Sequence, residues 1–322
     1  MTLRTFFGKA RKKILRTLLG GNLYANAEQV KILESRVQLS LYRSIKYAPE
    51  SKYPEILSDW YYEETGKKLD LNNPRTFNEK IQWLKLYDCT PLKTRLADKF
   101  LVRDFVKEKI GEEYLVPLLG VYDSFDEIDF DGLPDRFVLK ANHGSGWNII
   151  VKNKAEFNKE KAKRDMDYWM RTNFAYFGLE LQYRDIEPKI IAEQYLEDNV
   201  PGDLPDYKFL CFCGEPKYIW VDIDRYTSHK RNIYDLDWNK QPFSIYYPNG
   251  NELLSPPGNL NEMIRLAKIL CEGFCHVRVD FYSICSKIYF GEMTFTSGAG
   301  TEKIEPHEWN LKLGDMIKLP VA

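Results

Sequence analysis

The stretch of sequence that decides the fold reads Asp135-Arg136-Phe137-Val138-Leu139-Lys140-Ala141-Asn142-His143-Gly144-Ser145-Gly146-Trp147-Asn148-Ile149-Ile150-Val151. Residues 137–139 predict a short buried strand, and residues 147–151 predict a strand that returns beside it. Between them, the Gly144-Ser145-Gly146 turn can direct backbone N–H groups at an anion. Lys140, at the strand end, can extend its ammonium into a cleft. The pattern predicts either a hairpin that covers nucleotide phosphates or an ordinary hairpin with an exposed lysine.

The length and composition of the chain are those of a globular protein with two core-bearing subdomains. It has 322 residues, of which 44% are hydrophobic, 14% aromatic and 29% charged, and roughly 150 residues make one domain. The formal net charge of −1 gives no overall attraction to nucleic acid, so no nucleic-acid partner is expected. No apolar run reaches the roughly 18 residues of a membrane span, and no signal peptide is visible. A cytoplasmic protein is therefore expected, with its six cysteines reduced.

Residues 1–24 differ from the rest of the chain in charge. Six basic residues precede the first acidic one, and Phe7, Ala10, Ile14 and Leu18 fall at helical spacing. The pattern predicts a basic amphipathic helix that can lie on an anionic membrane surface, at the inner face of the cell membrane. A basic helix that docks on the protein's own core fits the same pattern equally well.

Residues 25–89 predict a helical N-terminal region without visible chemistry. Apolar residues recur at spacings of three and four between residues 26 and 47. Further along, Thr76 and Glu79 form a capping-box pattern, in which each side chain bonds a backbone N–H at the start of a helix.

Residues 90–322 alternate between helix and strand patterns. One helix is predicted over residues 92–110, where Lys99 would by default be a solvated charge. Two more helices are predicted over residues 155–171 and 260–271. Strands are predicted over residues 114–122, 188–196, 206–210, 217–223, 275–281 and 287–293. The expected fold class is therefore α+β.

Two acidic residues lie in the last pair of predicted strands. Alternation places Arg278 and Asp280 on one face, with Glu292 on the neighbouring strand. Two carboxylates on adjacent strands suit Mg²⁺, which is usually held by one or two carboxylates plus substrate phosphates. Cross-strand acids can also face solvent, but here each lies in an otherwise apolar strand, where unpaired burial would be costly. Arg278 adds a planar cation that can bind phosphate.

The order of these features resembles the ATP-grasp superfamily, the fold of D-alanine–D-alanine ligase and related carboxylate–amine ligases. The matching pieces are Asp98-Lys99, Lys140 with its glycine loop, Glu193-Gln194-Tyr195-Leu196, Arg278-Val279-Asp280 and Glu292-Met293-Thr294. Residues 74–80 and the loop that starts at His143 are most similar to the TupA-like branch, associated with teichuronopeptide and cell-surface polysaccharide biosynthesis. The resemblance implies two α+β subdomains that grip ATP between antiparallel sheets. Residues 90–322 would form this catalytic domain, with residues of about 118–196 covering the nucleotide.

The resemblance also implies roles for single residues, with ATP and Mg²⁺ as cofactors. The phosphates of ATP are expected to contact Lys99, Lys140, His143, Gly144, Ser145 and Gly146. Adenine is expected to contact Glu193, Gln194, Tyr195 and Leu196. Two further ATP contacts are expected from Lys208 and Arg231. The expected catalytic residues are Arg278 and Lys140, and the expected metal ligands are Asp280, Glu292 and Thr294. Many members carry asparagine at the position of Thr294, so the number of metal ions stays open.

The function implied by the resemblance is that of an ATP-dependent carboxylate–amine ligase with an acyl-phosphate intermediate. Its expected partners are ATP, a carboxylate-bearing glycan or lipid-linked sugar of cell-surface polysaccharide biosynthesis, and an amine donor. Two alternatives stay open. One is a glycosyltransferase or sugar kinase of the same pathway, and the other is a non-catalytic ATP-binding protein.

Overall fold

The computed structural model describes residues 39–197, 206–223 and 228–320. Residues 39–46 are helical, as the spacing of apolar residues predicts. The predicted basic amphipathic helix over residues 1–24, and the earlier part of the helix predicted over residues 26–47, lie outside the described residues.

After residues 39–46, four further α-helices in the described part of the chain precede the first sheet. They are α1 (Tyr53–Thr65), α2 (Phe77–Tyr87), α3 (Pro91–Ala97) and α4 (Val102–Lys109). The capping box at the start of α2 is confirmed. The Thr76 hydroxyl accepts the Glu79 N–H at 3.2 Å, and the Glu79 carboxylate accepts the Thr76 N–H at 2.9 Å. Both bonds satisfy donors that have no partner within the helix.

The prediction of one helix over residues 92–110 is wrong, because the chain breaks between α3 and α4. Asp98 is extended (φ −73°, ψ 116°), and its carboxylate accepts the N–H groups of Phe100 at 2.7 Å and Leu101 at 3.2 Å. These side-chain bonds replace helical ones, which is the usual way that aspartate ends one helix and begins the next. Lys99 therefore lies in a tight turn and not on a helix surface.

The first sheet has four antiparallel strands in the order β1-β4-β2-β3. They are β1 (Leu118–Tyr122), β2 (Phe137–Ala141), β3 (Asn148–Val151) and β4 (Ile190–Gln194). The predicted hairpin of β2 and β3 is confirmed, with Phe137 opposite Val151 and Lys140 opposite Asn148. Helix α5 (Lys159–Met170) packs beside it, and Ala162 and Met166 on this helix are buried in the same core.

The second sheet has five antiparallel strands in the order β10-β9-β5-β6-β7. They are β5 (Asp206–Phe212), β6 (Glu215–Ile223), β7 (Lys230–Tyr234), β9 (His276–Ile284) and β10 (Lys287–Thr294). Helix α6 (Leu260–Leu270) shares a core with one face of this sheet, which includes Phe209, Val221 and Val279. Strands β8 (Ser244–Ile245) and β11 (Ile304–Glu305) form a small third sheet, followed by α7 (His307–Asp315). The predicted α+β class with antiparallel sheets is thus confirmed.

The register of the five-stranded sheet brings charged residues of three strands, and a tryptophan of a fourth, into one row. Glu292 on β10 lies opposite Asp280 on β9, Asp280 opposite Lys208 on β5, and Lys208 opposite Trp220 on β6. Residues that lie directly opposite each other point to the same side of a sheet. This charged row lies on the face opposite α6 and forms the base of the candidate site.

Candidate active site

Arg278 connects the two carboxylates that the sequence assigned to a metal. Its Nε and Nη2 atoms lie 2.7 Å from the two oxygens of Asp280, and Nη2 also lies 2.6 Å from Glu292 Oε1. The Thr294 hydroxyl donates to the same Glu292 oxygen at 2.9 Å. The four predicted residues are therefore in direct contact, as strand alternation predicts for Arg278, Asp280 and Glu292.

The charge of Glu292 is stabilised by its neighbours. Burial alone would raise its pKa, but Arg278 first, then Lys99 and Lys208, outweigh burial and lower the pKa to about 2. Opposite charges within a few ångströms favour the ionised form of a carboxyl group. Glu292 is therefore an anion throughout the neutral range, which is the form that binds a cation.

The donor set of Asp280, Glu292 and Thr294 could hold a Mg²⁺ ion that takes its other ligands from phosphates and water. Asp280 and Glu292 are opposite each other, and Thr294 adds a hydroxyl next to Glu292. Within the described ranges, no cluster of three or more His, Cys, Asp or Glu side chains could hold a metal. Mg²⁺ does not require such a cluster, since it is commonly bound by one or two carboxylates together with phosphates and waters.

Lys208 lies between two aspartates in the charged row. It is buried, forms an ion pair with Asp206, and its Nζ lies 3.3 Å from Asp280 Oδ2. The sequence predicted Lys208 as an ATP contact but gave no role to Asp206. Because Lys208 touches Asp280 directly, it balances part of the negative charge at the candidate metal position.

The turn between α3 and α4 brings Lys99 to the glycine loop. Lys99 Nζ donates to the Gly144 carbonyl at 2.5 Å, and the Lys99 N–H donates to the Asn142 carbonyl at 3.2 Å. Burial lowers the pKa of Lys99, while the Glu292 carboxylate acts in the opposite direction. Lys99 thus lies between the loop of the first sheet and the charged row of the second.

The glycine loop rests on buried aromatic and polar groups. A Cβ on Gly144 would lie 2.4 Å from the Trp147 ring, so this position requires glycine, and Gly146 has a left-handed φ of 71°. His143 is buried, and its ring nitrogens lie 3.1 Å from Asn142 Oδ1 and 3.0 Å from the Trp169 carbonyl. The imidazole of His143 therefore joins the loop to the buried core beneath it. Within the loop itself, Ser145 is half-buried and Gly146 is exposed.

Lys140 forms an ion pair with Glu193, a residue that was expected to contact adenine. Lys140 Nζ lies 2.5 Å from Glu193 Oε2, and Arg103 Nη1 lies 3.1 Å from Glu193 Oε1. Arg103 also donates to the Val116 carbonyl at 2.8 Å. No role for Arg103 was expected from the sequence, because nothing in its helical spacing indicates a partner 90 residues further along the chain.

The remaining predicted adenine contacts follow Glu193 at the end of β4. Gln194 is exposed, and its N–H donates to the Pro117 carbonyl at 3.0 Å. Tyr195 and Leu196 are half-buried, and the guanidinium of Arg136 lies 5.7 Å from the Tyr195 ring centre. These three residues border the first sheet and not the charged row.

Arg231 lies at the other edge of the second sheet, over an aromatic ring. Its Nε atom donates to Asp222 at 2.6 Å, and its guanidinium lies 4.1 Å from the Trp220 ring centre and 5.0 Å from that of Tyr247. Glu302 Oε1 is 3.7 Å from Arg231 Nη1. Trp220, Asp222, Tyr247 and Glu302 were missed in the sequence, since only the strand register brings them together.

The Trp220 ring links this edge to Asp280 and Glu292, because Arg278, which contacts both carboxylates, also lies 5.3 Å from the ring centre. The site is therefore continuous across the sheet, from Glu292 and Asp280 through Arg278 and Trp220 to Arg231. Burial raises the pKa of Glu302, and the two arginines act in the opposite direction.

Two antiparallel sheets that contribute lysines, an arginine and paired carboxylates to one site are the features of an ATP-grasp protein. A family model described as TupA-like ATPgrasp matches residues 79–318, so the chain belongs to the TupA-like ATP-grasp family. The resemblance drawn from the sequence is thereby confirmed. No protein with a curated description matches the sequence.

Similar solved structures include ligases. D-alanine–D-alanine ligase from Bacillus anthracis in complex with ATP has a TM-score of 0.43 at 15% identity, with 84% of this chain and 81% of that chain covered. Another structure of that ligase gives 0.39 at 17% identity, with 69% and 65% covered. An L-amino acid ligase from Bacillus licheniformis gives 0.38 at 13% identity, with 66% and 43% covered. The chain thus matches less than two thirds of the length of the latter two structures.

In the described part of the chain, no helix combines the length and apolarity that a membrane span requires.

Proposed function

We propose that this protein is an ATP-dependent ligase that joins a carboxylate to an amine through an acyl phosphate. The observation that carries the proposal is the contact of Arg278 with both Asp280 and Glu292. An arginine between two carboxylates, on a sheet face that also carries Lys208, offers charges of both signs where a phosphoryl group and its cation would lie. Membership of the TupA-like ATP-grasp family supports the same chemistry.

In this mechanism, the two lysines on the first-sheet side bind the phosphates. Lys140 would exchange Glu193 for a phosphate oxygen, and Lys99 would contact phosphate from the turn between α3 and α4. Bound at Asp280 and Glu292, with the Thr294 hydroxyl alongside, Mg²⁺ would neutralise charge on the phosphates. The glycine loop from Gly144 would close over them with backbone N–H groups.

The two proposed steps need no side-chain nucleophile. A carboxylate oxygen of the acceptor attacks the γ-phosphorus, and the bond between this phosphorus and the bridging oxygen of ADP breaks. The amine nitrogen then attacks the acyl carbon, the carbon–oxygen bond to phosphate breaks, and the nitrogen loses its proton to the departing phosphate or to water. Arg278 faces the oxygens on which negative charge develops in both steps.

We assign Arg231 to the acceptor side of the proposed reaction. It lies on β7, three strands from Arg278 on β9, a separation of about 14 Å between strand axes. The ring of Trp220 connects the two guanidinium groups. Arg231 was expected to bind ATP, and in our proposal it contacts the end of the phosphates that faces the acceptor.

The proposed acceptor is a carboxylate-bearing glycan or lipid-linked sugar of cell-surface polysaccharide biosynthesis. The proposal rests on the family to which the chain belongs. Residues 1–24 have the composition to hold such a protein at an anionic membrane surface.

The experiment that tests the proposal is a screen for ADP release from MgATP with uronic acids and amino acids, singly and in pairs. A ligase should release ADP only when a carboxylate is present and should form an amide when an amine is added. ADP release with an uncharged sugar would indicate a sugar kinase. Sugar transfer from a nucleotide sugar without ATP would indicate a glycosyltransferase, and ATP binding without turnover would indicate a non-catalytic protein.

A further inference from the structure

Helix α2 holds the turn that follows the strand carrying Glu292. Lys85 on α2 is fully buried, and its Nζ donates to the Ala299 carbonyl at 2.6 Å and to Gln82 Oε1 at 3.0 Å. The Gln82 amide donates to the carbonyls of Ala299 at 3.0 Å and Gly300 at 2.8 Å. Two side chains from one turn of α2 thus satisfy two adjacent carbonyls of a distant loop.

The turn held in this way has an unfavourable backbone. Gly298, Ala299 and Gly300 have φ values of 57°, 52° and 67°, so three successive residues are left-handed. For alanine this conformation is unfavourable, because its Cβ approaches the following carbonyl oxygen. A Cβ on Gly300 would lie 2.4 Å from Gln82 Nε2. The turn therefore depends on bonds from outside itself, and its close contact with α2 leaves no room for a side chain.

The same turn borders the candidate active site on both sides. On one side, only two residues separate the end of β10 at Thr294 from the start of the turn at Ser297. On the other side, a Cβ on Gly298 would lie 2.3 Å from the Glu302 side chain, which approaches Arg231. A shift of the turn would therefore move groups at both ends of the charged face.

The burial of Lys85 carries a desolvation penalty, because its ammonium group is removed from water. The Trp60 ring centre lies 4.3 Å from its ammonium. Burial lowers the pKa of Lys85 to about 7, although the carboxylate of Glu180 and the thiol of Cys89 favour its charged form. Glu180 itself accepts a hydrogen bond from the hydroxyl of Thr296, next to the turn. An apolar side chain of similar length would avoid the desolvation penalty but could not bond the Ala299 carbonyl.

We propose that Lys85 is a positioning residue for the candidate active site, which fixes the Ser297–Gly300 turn and through it the metal-binding end of β10. Lys85 touches neither phosphate nor metal and acts only through the turn. The part of this inference that concerns Mg²⁺ rests on the proposed function, whereas the hold on the turn does not.

The test compares Lys85→Met with Lys80→Met in the full-length protein. Lys80 is a matched control, because it also lies on α2 and donates to two carbonyls, those of Gly314 and Ile317, each at 2.8 Å. Hydrogen exchange of the free protein should be about tenfold faster over residues 296–301 in Lys85→Met. In Lys80→Met the faster exchange should be confined to residues 314–318.

The second measurement is the Mg²⁺ concentration at which ATP binding reaches half its maximum. Lys85→Met should raise this concentration by roughly three- to tenfold. The loss of a direct hydrogen-bond partner of a metal ligand costs about 10–100-fold in metal affinity, and the effect of Lys85 should be smaller because it reaches β10 only through the turn. Lys80→Met should leave it unchanged, and neither variant should alter binding of metal-free ATP. If Lys85→Met does not fold, Lys85→Gln retains a shorter uncharged donor and should give a smaller shift in the same direction.

The outcomes separate this inference from the proposed function. If hydrogen exchange over residues 296–301 is as slow in Lys85→Met as in the wild-type protein, Lys85 does not fix the turn. Faster exchange without a change in the Mg²⁺ requirement would overturn the positioning role. If the wild-type protein does not bind MgATP, the proposed function and the metal role of Lys85 both fail, while the exchange result still decides the hold on the turn.

Discussion

Lys140 Nζ lies 2.5 Å from Glu193 Oε2, so the lysine expected to bind phosphate is paired with a carboxylate of the neighbouring strand. Arg103 binds the other oxygen of Glu193 at 3.1 Å. If Lys140 binds phosphate as proposed, Glu193 would keep Arg103 as a cationic partner and would not become an unpaired buried charge. In the absence of a ligand, the pair gives Lys140 a defined position.

Replacement of Lys140 by alanine should weaken ATP binding by roughly ten- to a hundredfold. A hydrogen bond to a charged group contributes about 1.5–3 kcal/mol, and about 1.4 kcal/mol corresponds to a factor of ten. Calorimetric titration with a non-hydrolysable ATP analogue and Mg²⁺ would measure the change. Lys154→Ala is the control, because Lys154 donates to the Leu133 carbonyl at 2.7 Å, outside the proposed phosphate site. Equal affinities of Lys140→Ala and the wild-type protein would show that the glycine hairpin does not cover phosphates.

Substitution of Asp280 or Glu292 should strongly reduce Mg²⁺-dependent turnover. Asp280→Asn and Glu292→Gln keep the shape of each side chain but remove the charge that Mg²⁺ requires, so Mg²⁺-dependent ADP release should fall by about a hundredfold or more. Glu262→Gln, which breaks a surface ion pair with Arg265, is a control that should leave ADP release unchanged. Unaltered turnover in either active-site variant would reassign the pair to a purely structural role.

The strand patterns predicted much of this site because side-chain direction follows a period of two along a strand. Arg278 and Asp280 were expected on one face with Glu292 beside them, and the three side chains are in contact. The hairpin around Gly144 follows from local turn chemistry in the same way. Both features are encoded within a few residues of each other or by simple alternation.

Two kinds of contact could not be predicted in this way: side-chain bonds to nearby backbone groups and contacts between residues far apart in the chain. The helix predicted over residues 92–110 is broken because Asp98 bonds two backbone N–H groups, a choice that apolar spacing does not reveal. The contacts of Arg103 with Glu193 and of Lys85 with Ala299 join residues 90 and 214 positions apart. Such contacts depend on how sheets and helices pack, for which a single sequence carries no local pattern.

The stability of the protein should fall as the pH drops below 6.5, in part because of His276. This residue is fully buried, and burial lowers its pKa to about 3, although its bond to the Cys211 carbonyl acts in the opposite direction. Below pH 6.5 the unfolded chain therefore gains a proton that the folded chain does not, which removes up to about 1.4 kcal/mol per pH unit. Urea unfolding at several pH values between 6.5 and 5 would measure this slope.

His276→Gln should make the free energy of unfolding less dependent on pH between 6.5 and 5, by up to about 1.4 kcal/mol per pH unit, the contribution of one proton. The range from pH 6.5 to 5 lies above the region in which Glu292 loses its charge, because the pKa of Glu292 is lowered to about 2 in the folded protein. An unchanged slope in His276→Gln would mean that other groups account for the pH dependence.

Deletion of residues 1–24 should abolish binding to anionic liposomes. Each basic residue near an anionic surface contributes about 1 kcal/mol, and salt weakens this attraction. Cosedimentation of the full-length protein should therefore occur at low salt and decrease as salt is added. ATP affinity should be the same with and without the segment, since the proposed ATP contacts begin at Lys99. If the full-length protein does not sediment with anionic liposomes at low salt, the alternative of a helix docked on the core is favoured.

The most direct test of the acyl-phosphate mechanism follows ¹⁸O from the acceptor carboxylate. The carboxylate that supports ADP release would be labelled with ¹⁸O and incubated with MgATP and the amine, and the inorganic phosphate would be analysed by mass spectrometry. The proposed mechanism predicts that one labelled oxygen appears in phosphate for each amide formed, because the carboxylate oxygen that attacked phosphorus leaves with it. Amide formation with unlabelled phosphate would contradict the mechanism.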